Sequence, residues 1–180
     1  MQQPTRPQPT RFYIKHFRTL ANGLQLYTVQ QEGHGASYAA DFYSRMNQQA
    51  ASDSRLAKQL RLFDSNLDRI ALRNVSLLTL DCLRDEGKAH ALPSEAEYLR
   101  YFKLPRNITL RLYCYPASSR TLILFNGDVK TTKYPKDCPQ VGPHFRRAIR
   151  LARTLEEVQA EWTVSPDNKL HLDPPYFEIG

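Results

Sequence analysis

The chain has 180 residues, of which 41% are hydrophobic and 24% are charged, and this balance excludes a wholly disordered protein. Its formal net charge of +7 is concentrated in residues 100–153, which hold 12 basic and only 2 acidic side chains. A local excess of this kind indicates a polyanionic partner, either a nucleic acid or an acidic protein, with an ordinary solvated basic face as the alternative.

The sequence lacks the motifs of several classes of functional site. The three cysteines and five histidines do not have the spacing of metal ligands, so we predict no bound metal. Glycine-rich loops of the kind that bind nucleotide phosphates are missing from the sequence, and we therefore predict no cofactor. No apolar run is long enough for a membrane helix, and the first ten residues lack the apolar core of a signal peptide. These features predict a cytoplasmic protein without a membrane partner.

The composition along the chain predicts one domain between two extensions. Residues 1–10 are rich in proline and glutamine, which predicts a disordered tail. A single domain is expected over 11–162 and a C-terminal extension over 163–180. Near the start of the domain, Asn22-Gly23 stands between two alternating apolar segments and predicts a β-hairpin.

Apolar residues at helical spacing follow the predicted hairpin. One helix is expected after Ser37 and a second after Asp53, because both residues are good helix N-caps. A third helix is expected over 75–83, with Gly87 capping its C-terminal end. All of these apolar residues are interpreted as core.

The C-terminal half of the domain has the two-residue period of β-strands. Strands are predicted over 98–104, 108–115 and 121–126. The last of them is expected to end at a turn formed by Gly127-Asp128. We predict a small antiparallel meander of about four strands, followed by a helix over 144–162 whose first half is basic.

Arg111 is predicted to point away from the core. The alternation of its strand places Leu110 and Leu112 on the buried face, and Arg111, Tyr113 and Tyr115 on the opposite face. A guanidinium group pairs with phosphate and tyrosine rings stack on bases, so an open sheet face with these residues suits RNA.

A second group of polar residues follows the next predicted strand. Lys130 and Lys133 are explained by ordinary loop solvation, but with Arg111 on the adjacent strand they can also form one concave basic surface. Tyr134 either packs on the last helix or belongs to this surface. His144 is either an acid–base group or a plain surface residue at the start of the last helix.

The order of these segments resembles the RelE/ParE toxin superfamily, in particular its HigB-like, phage-derived branch. Arg111-Leu112-Tyr113 is similar to the arginine-containing strand motif of that family. The segment from Gly127 to Lys133 is similar to its Gly-x-x-Lys-Lys-Thr turn, with Lys130 at the first lysine. The resemblance covers about residues 24–160.

The resemblance implies an α+β fold, with N-terminal helices on one face of a small twisted antiparallel sheet and a basic C-terminal helix. It also implies the toxin of a type II toxin–antitoxin system, a metal-independent endoribonuclease that cleaves mRNA on the ribosome and is held in check by a helix-turn-helix antitoxin. The catalytic candidates are then Arg111 and Lys130 at the phosphate, with Lys133 and Tyr134 in proton transfer or base stacking. The RNA-binding candidates are Tyr113, Tyr115, Arg146, Arg147 and Arg150.

Two other functions are compatible with the same residues. ParE-like members of the superfamily bind DNA gyrase and cleave no RNA, so the basic surface is a protein-binding patch in that interpretation. A non-catalytic, phage-derived nucleic-acid-binding protein is the other alternative. The fold alone does not choose between these functions.

Overall fold

A seven-stranded, mostly antiparallel sheet forms the centre of the computed structural model, which describes residues 8–79, 82–93 and 108–180. In this part of the chain the strands are β1 Thr10–Thr19, β2 Gln25–Gln31, β3 Arg84–Glu86, β4 Ala89–Leu92, β5 Leu110–Ser118, β6 Thr121–Val129, β7 Trp162–Val164, β8 Leu170–Leu172 and β9 Tyr176–Ile179. The helices are α1 Tyr38–Ala50, α2 Ser54–Leu72 and α3 Gly142–Val158. The predicted α+β class is confirmed. The predicted strand over 98–104 lies outside the described residues.

The N-terminal hairpin forms where the sequence predicts it. β1 and β2 pair antiparallel, and the connection contains Asn22 at φ 54° and Gly23 at φ 69°. Both residues are in the left-handed region, which asparagine and glycine tolerate better than other residues. The local backbone preference of two residues is therefore sufficient to reverse the chain.

Two predicted helix starts are also confirmed. The Ser37 side chain accepts a hydrogen bond from the Ala40 amide, and Asp53 accepts from the amides of Arg55 and Leu56. The apolar stripes of α1 and α2 pack on one face of the sheet, around Phe42 and Phe63, which are fully buried.

The predicted third helix over 75–83 is wrong. No helix occupies the described residues of this segment, and the chain continues into a hairpin of β3 and β4. Gly87 lies in the tight turn at φ 84°, where its amide donates to Asp85 Oδ1 at 2.8 Å. The apolar residues that suggested a helix, such as Leu77 and Leu83, have no regular secondary structure. They are buried in the core cluster that also contains residues of α2 and the sheet.

The sheet is larger than the predicted meander of about four strands. Its order is β3-β4-β5-β6-β2-β1-β9, and the neighbours β2 and β6 run parallel. The N-terminal hairpin therefore sits beside β6, which places Leu26 opposite Leu122. β6 also continues through Gly127 and Asp128, where the sequence predicted a turn.

The C-terminal extension belongs to this sheet. Within 163–180, β9 pairs antiparallel with β1, and Phe177 stacks on Phe12 with ring centroids 5.5 Å apart. β7 and β8 form a separate two-stranded sheet. Phe177 is buried, so the extension contributes to the core of the domain.

α3 covers the face of the sheet opposite α1 and α2. Its buried residues Ala148, Leu151 and Leu155 pack with Tyr113 and Phe125 in a second hydrophobic core. The resemblance implied helices on one face of the sheet, whereas the described chain has helices on both faces. This difference decides the exposure of several predicted site residues.

Candidate functional site

Arg111 is buried, with only 6% of its surface exposed. It lies in β5 and points away from the core side of Leu110 and Leu112, as the alternation predicts. Its Nη1 donates to the carbonyl oxygens of Ile108 at 2.9 Å and Leu110 at 2.8 Å. The expectation that this face is open to solvent is wrong, because Arg111 and Tyr113 are both buried and α3 packs on this face at Tyr113.

The two tyrosines next to Arg111 in the alternation are also packed. Tyr113 is fully buried and meets Phe145 of α3 edge to face, with ring centroids 5.8 Å apart. Tyr115 is half-buried, and its hydroxyl donates to Gln159 Oε1 at 2.8 Å. Burial raises the pKa of both phenols. The predicted base-stacking platform is therefore a contact between the sheet and α3.

The residues from 130 to 137, here called the lysine loop, place the other three catalytic candidates on the surface. The Lys130 amide donates to the Thr109 carbonyl at 2.8 Å, and Lys130 Nζ donates to the Lys133 carbonyl at 3.0 Å. Lys133 is exposed, with its Nζ 5.3 Å from the centroid of the Tyr134 ring. Tyr134 is 52% exposed and so can stack with a ligand.

Lys130 lies in a positively charged environment. Burial lowers the pKa of Lys130, the charges of Arg111 and Arg84 lower it further, and Glu86 opposes them. Arg84 and Glu86 of β3 approach because β4 presents only small residues, Ala89 and Ala91, between β3 and β5 on this face. Arg111 therefore affects the lysine loop electrostatically, because its positive charge lowers the pKa of Lys130.

A cleft of about 610 Å³ adjoins Lys130 on the side of α1 and α2. Gln59 of α2 lines it and is almost buried. Its Oε1 accepts hydrogen bonds from the Thr109 amide and hydroxyl and from the Leu110 amide, at 2.9 to 3.2 Å. This orientation directs the two donors on Nε2 away from β5. Sequence reasoning missed Gln59, because its partners are about fifty residues away in the chain.

The predicted arginines of α3 extend the basic surface. Arg146, Arg147 and Arg150 are all exposed. Arg146 Nη1 donates to the Lys136 carbonyl at 3.4 Å, which joins α3 to the lysine loop. The predicted RNA-binding set is therefore split, with the arginines at the surface, Tyr113 in the core and Tyr115 half-buried at its edge.

A network around Arg45 supports the end of β6. Arg45 reaches from α1 to Asp128 Oδ2 at 2.6 Å, Asn126 Oδ1 at 2.6 Å and the Gly127 carbonyl at 2.8 Å. It also binds Asp41 of its own helix at 3.0 Å. The network holds the strand immediately before Lys130. No sequence motif marks it, since its members are separated by more than eighty residues.

His144 lies beside this network. Burial lowers the pKa of His144, and the charges of Arg45 and Arg147 add to the effect against those of Asp128 and Asp41. The imidazole lines a small pocket of about 250 Å³ with Tyr38 and Asn126, separate from the cleft beside Lys130. A neutral His144 in this pocket can accept or donate a hydrogen bond.

We expect the Cys138 thiol, at the end of the lysine loop, to be half ionised near pH 7. Burial alone raises the pKa of a thiol, but hydrogen bonds from the Thr131 hydroxyl and from the amides of Thr131, Val141 and Gln140 lower the pKa of Cys138 to about 7. Burial instead raises the pKa of Cys114. Ultraviolet absorbance of the thiolate against pH measures the ionisation of Cys138, with the Cys138→Ser protein as the reference. A thiol that ionises only at alkaline pH contradicts the expectation.

Comparisons with protein-family models, with curated proteins and with solved structures find no match to this chain. No helix among the described residues is long and apolar enough to cross a membrane. In the same residues, no three histidine, cysteine or acidic side chains are grouped as metal ligands would be.

Proposed function

We propose that the protein is an endoribonuclease that cleaves mRNA, with the lysine loop as its active site. One observation carries the proposal: Lys130, with its pKa lowered, lies beside exposed Lys133 and Tyr134 at the edge of a cleft. The sequence similarity to RelE/ParE toxins supports the same activity. A ribosome-bound mRNA as substrate and a helix-turn-helix antitoxin as inhibitor belong to this proposal.

The chemistry uses groups that RNA and the lysine loop supply. The 2′-hydroxyl attacks the adjacent phosphorus, so that a bond from the 2′-oxygen forms and the bond to the 5′-oxygen breaks. The neutral amine of Lys130 takes the proton of the 2′-hydroxyl, and the leaving 5′-oxygen takes a proton from solvent. Lys133 stabilises the charge that develops on the phosphate, and the Tyr134 ring stacks on a base.

Arg111 is a positioning residue in this scheme. Because it is buried, it does not reach the substrate; its positive charge lowers the pKa of Lys130 and so increases the fraction of neutral amine at a given pH. The resemblance implied phosphate contact for Arg111 and Lys130, whereas this proposal gives that role to exposed Lys133 and makes Lys130 the base.

Lys130→Ala is expected to lower the rate of mRNA cleavage by about a hundredfold or more, which is the usual effect of removing a general base. The protein should stay folded, because removing a partly exposed side chain on a loop changes stability by about 0.5 kcal/mol. Cleavage of a labelled RNA and thermal unfolding measure the two effects.

Lys15→Ala is the matched control for this variant, since Lys15 is an exposed lysine on β1, away from the lysine loop. It should retain the activity of the unsubstituted protein. A folded Lys130→Ala protein that cleaves RNA at the original rate overturns the proposed active site.

The exposed arginines of α3, Arg146, Arg147 and Arg150, favour a second candidate, a nucleic-acid-binding protein without cleavage. Binding then depends on the cations of the lysine loop and α3. We expect the logarithm of the affinity for single-stranded RNA to fall with the logarithm of salt concentration, with a slope of about 0.7 per phosphate contact. A steep fall of RNA affinity with salt, without any cleavage, supports the non-cleaving binding protein. An affinity that does not change with salt counts against both this candidate and the endoribonuclease.

A further inference from the structure

The charges of α3 run against the dipole of the helix. Arg146, Arg147 and Arg150 lie in its first half, while Glu156 and Glu157 lie in its last turn. Acidic residues are unfavourable in the last turn of a helix, and like charges four residues apart, as in Arg146 and Arg150, repel each other. An arrangement that costs stability in the isolated domain indicates a ligand that neutralises it.

The three arginines have weak contacts within the protein. Arg146 and Arg150 each donate to a backbone carbonyl at 3.4 Å, and the Arg147 guanidinium lies 5.6 Å from the centroid of the Tyr38 ring. Among the described residues, no carboxylate side chain forms an ion pair with any of the three. Their charges are therefore available to an anion.

All three arginines line one cleft of about 600 Å³ between α3 and the β1–β9 end of the sheet. Its opposite wall contains the apolar side chains of Phe12 and Ile179, together with Gln31. The Tyr38 hydroxyl donates to Gln31 Oε1 at 3.1 Å, which leaves the two Nε2 donors of Gln31 for a ligand. None of the described residues that line the cleft has an acidic side chain.

We infer that this arginine cleft binds a nucleotide. Guanidinium groups bind phosphoryl oxygens through two parallel hydrogen bonds, and three of them face the cleft. Phe12 and Ile179 provide an apolar surface for the base and sugar. The volume lies in the range of small-molecule sites, about 300–1,000 Å³. The nucleotide is either free or one unit of an RNA chain, and the contact between Arg146 and Lys136 would connect such a chain to the lysine loop.

The test is calorimetric titration of the full chain with ATP, with polyglutamate and with a short single-stranded RNA. The variant is Arg146→Gln with Arg150→Gln, which removes both charges but keeps polar side chains. Arg153→Gln is the matched control, because Arg153 is an exposed arginine of the same helix that does not line the cleft. We expect the double variant to weaken binding at least tenfold and the control to bind as the unsubstituted protein does.

The outcomes distinguish a free nucleotide from one unit of an RNA chain, and both of these from an acidic peptide. Binding of ATP that the double variant loses assigns a free nucleotide, and loss of RNA binding alone assigns a unit of an RNA chain. Equal binding by the double variant and the control overturns the inference, as does binding of an acidic peptide such as polyglutamate in place of both nucleotide probes. The inference does not rest on the ribonuclease activity, because the test measures binding of ATP and RNA to the arginine cleft and not cleavage.

Discussion

Gly127→Ala is expected to prevent the protein from folding stably. A Cβ atom at this position would lie 1.8 Å from the Arg111 carbonyl oxygen and 2.9 Å from the Leu112 Cα. Both atoms belong to the backbone of β5, which is held in the β5–β6 ladder and cannot move away. We expect a loss of about 4 kcal/mol or more, a large part of the roughly 5–15 kcal/mol by which an ordinary domain is stable. Soluble yield and denaturant unfolding measure it.

Gly35→Ala is the control for this substitution. A Cβ atom at Gly35 would have no heavy atom within 4 Å, and the residue is not in the left-handed region. It should change the free energy of unfolding by no more than about 0.5 kcal/mol. A Gly127→Ala protein as stable as Gly35→Ala would show that β5 and β6 do not approach each other in this way.

Arg111→Ala is expected to destabilise the protein by about 3 kcal/mol. The substitution leaves the carbonyl oxygens of Ile108 and Leu110 without the donors that Arg111 supplies, and it opens a cavity in the protein interior. Denaturant unfolding measures the change. Arg153→Ala, at an exposed arginine of α3, should remain within about 0.5 kcal/mol of the unsubstituted protein.

A second variant separates the two effects of Arg111. Arg111→Met keeps most of the side-chain volume and removes the charge, so the pKa of Lys130 should rise towards its ordinary value. If Lys130 is the general base, the rising part of the pH–rate profile then moves to higher pH, because a higher pH is needed to deprotonate the amine. An unchanged profile with a stable protein would contradict the role assigned to the Arg111 charge.

These expectations change how an Arg111 variant is interpreted. Loss of toxicity or cleavage in Arg111→Ala reports unfolding as well as chemistry, because the residue is buried. Lys130 and Lys133 are the informative positions, since both are accessible and lie on one loop. A test of the proposed function therefore depends on these lysines.

The parts of the fold that depend on neighbouring residues could be predicted from the sequence. Asn22-Gly23 has the left-handed conformation that its residue types favour, and Ser37 and Asp53 cap the first turns of α1 and α2. The polar segment of the lysine loop could be recognised after a predicted strand, although that strand ends at Val129 and not at the predicted turn of Gly127-Asp128. Each of these features is decided by interactions over at most a few residues.

Only the tertiary structure decided which surfaces meet water. Alternation places Arg111 and Tyr113 on one side of β5, but it does not show that α3 packs against that side. The parallel pairing of β2 with β6, and the positions of Gln59 and Arg45 beside the lysine loop, depend on partners fifty to a hundred residues away. A strand with polar residues on one face has the same sequence pattern whether that face is solvated or covered, because burial is determined by the packing of distant elements and not by the strand itself.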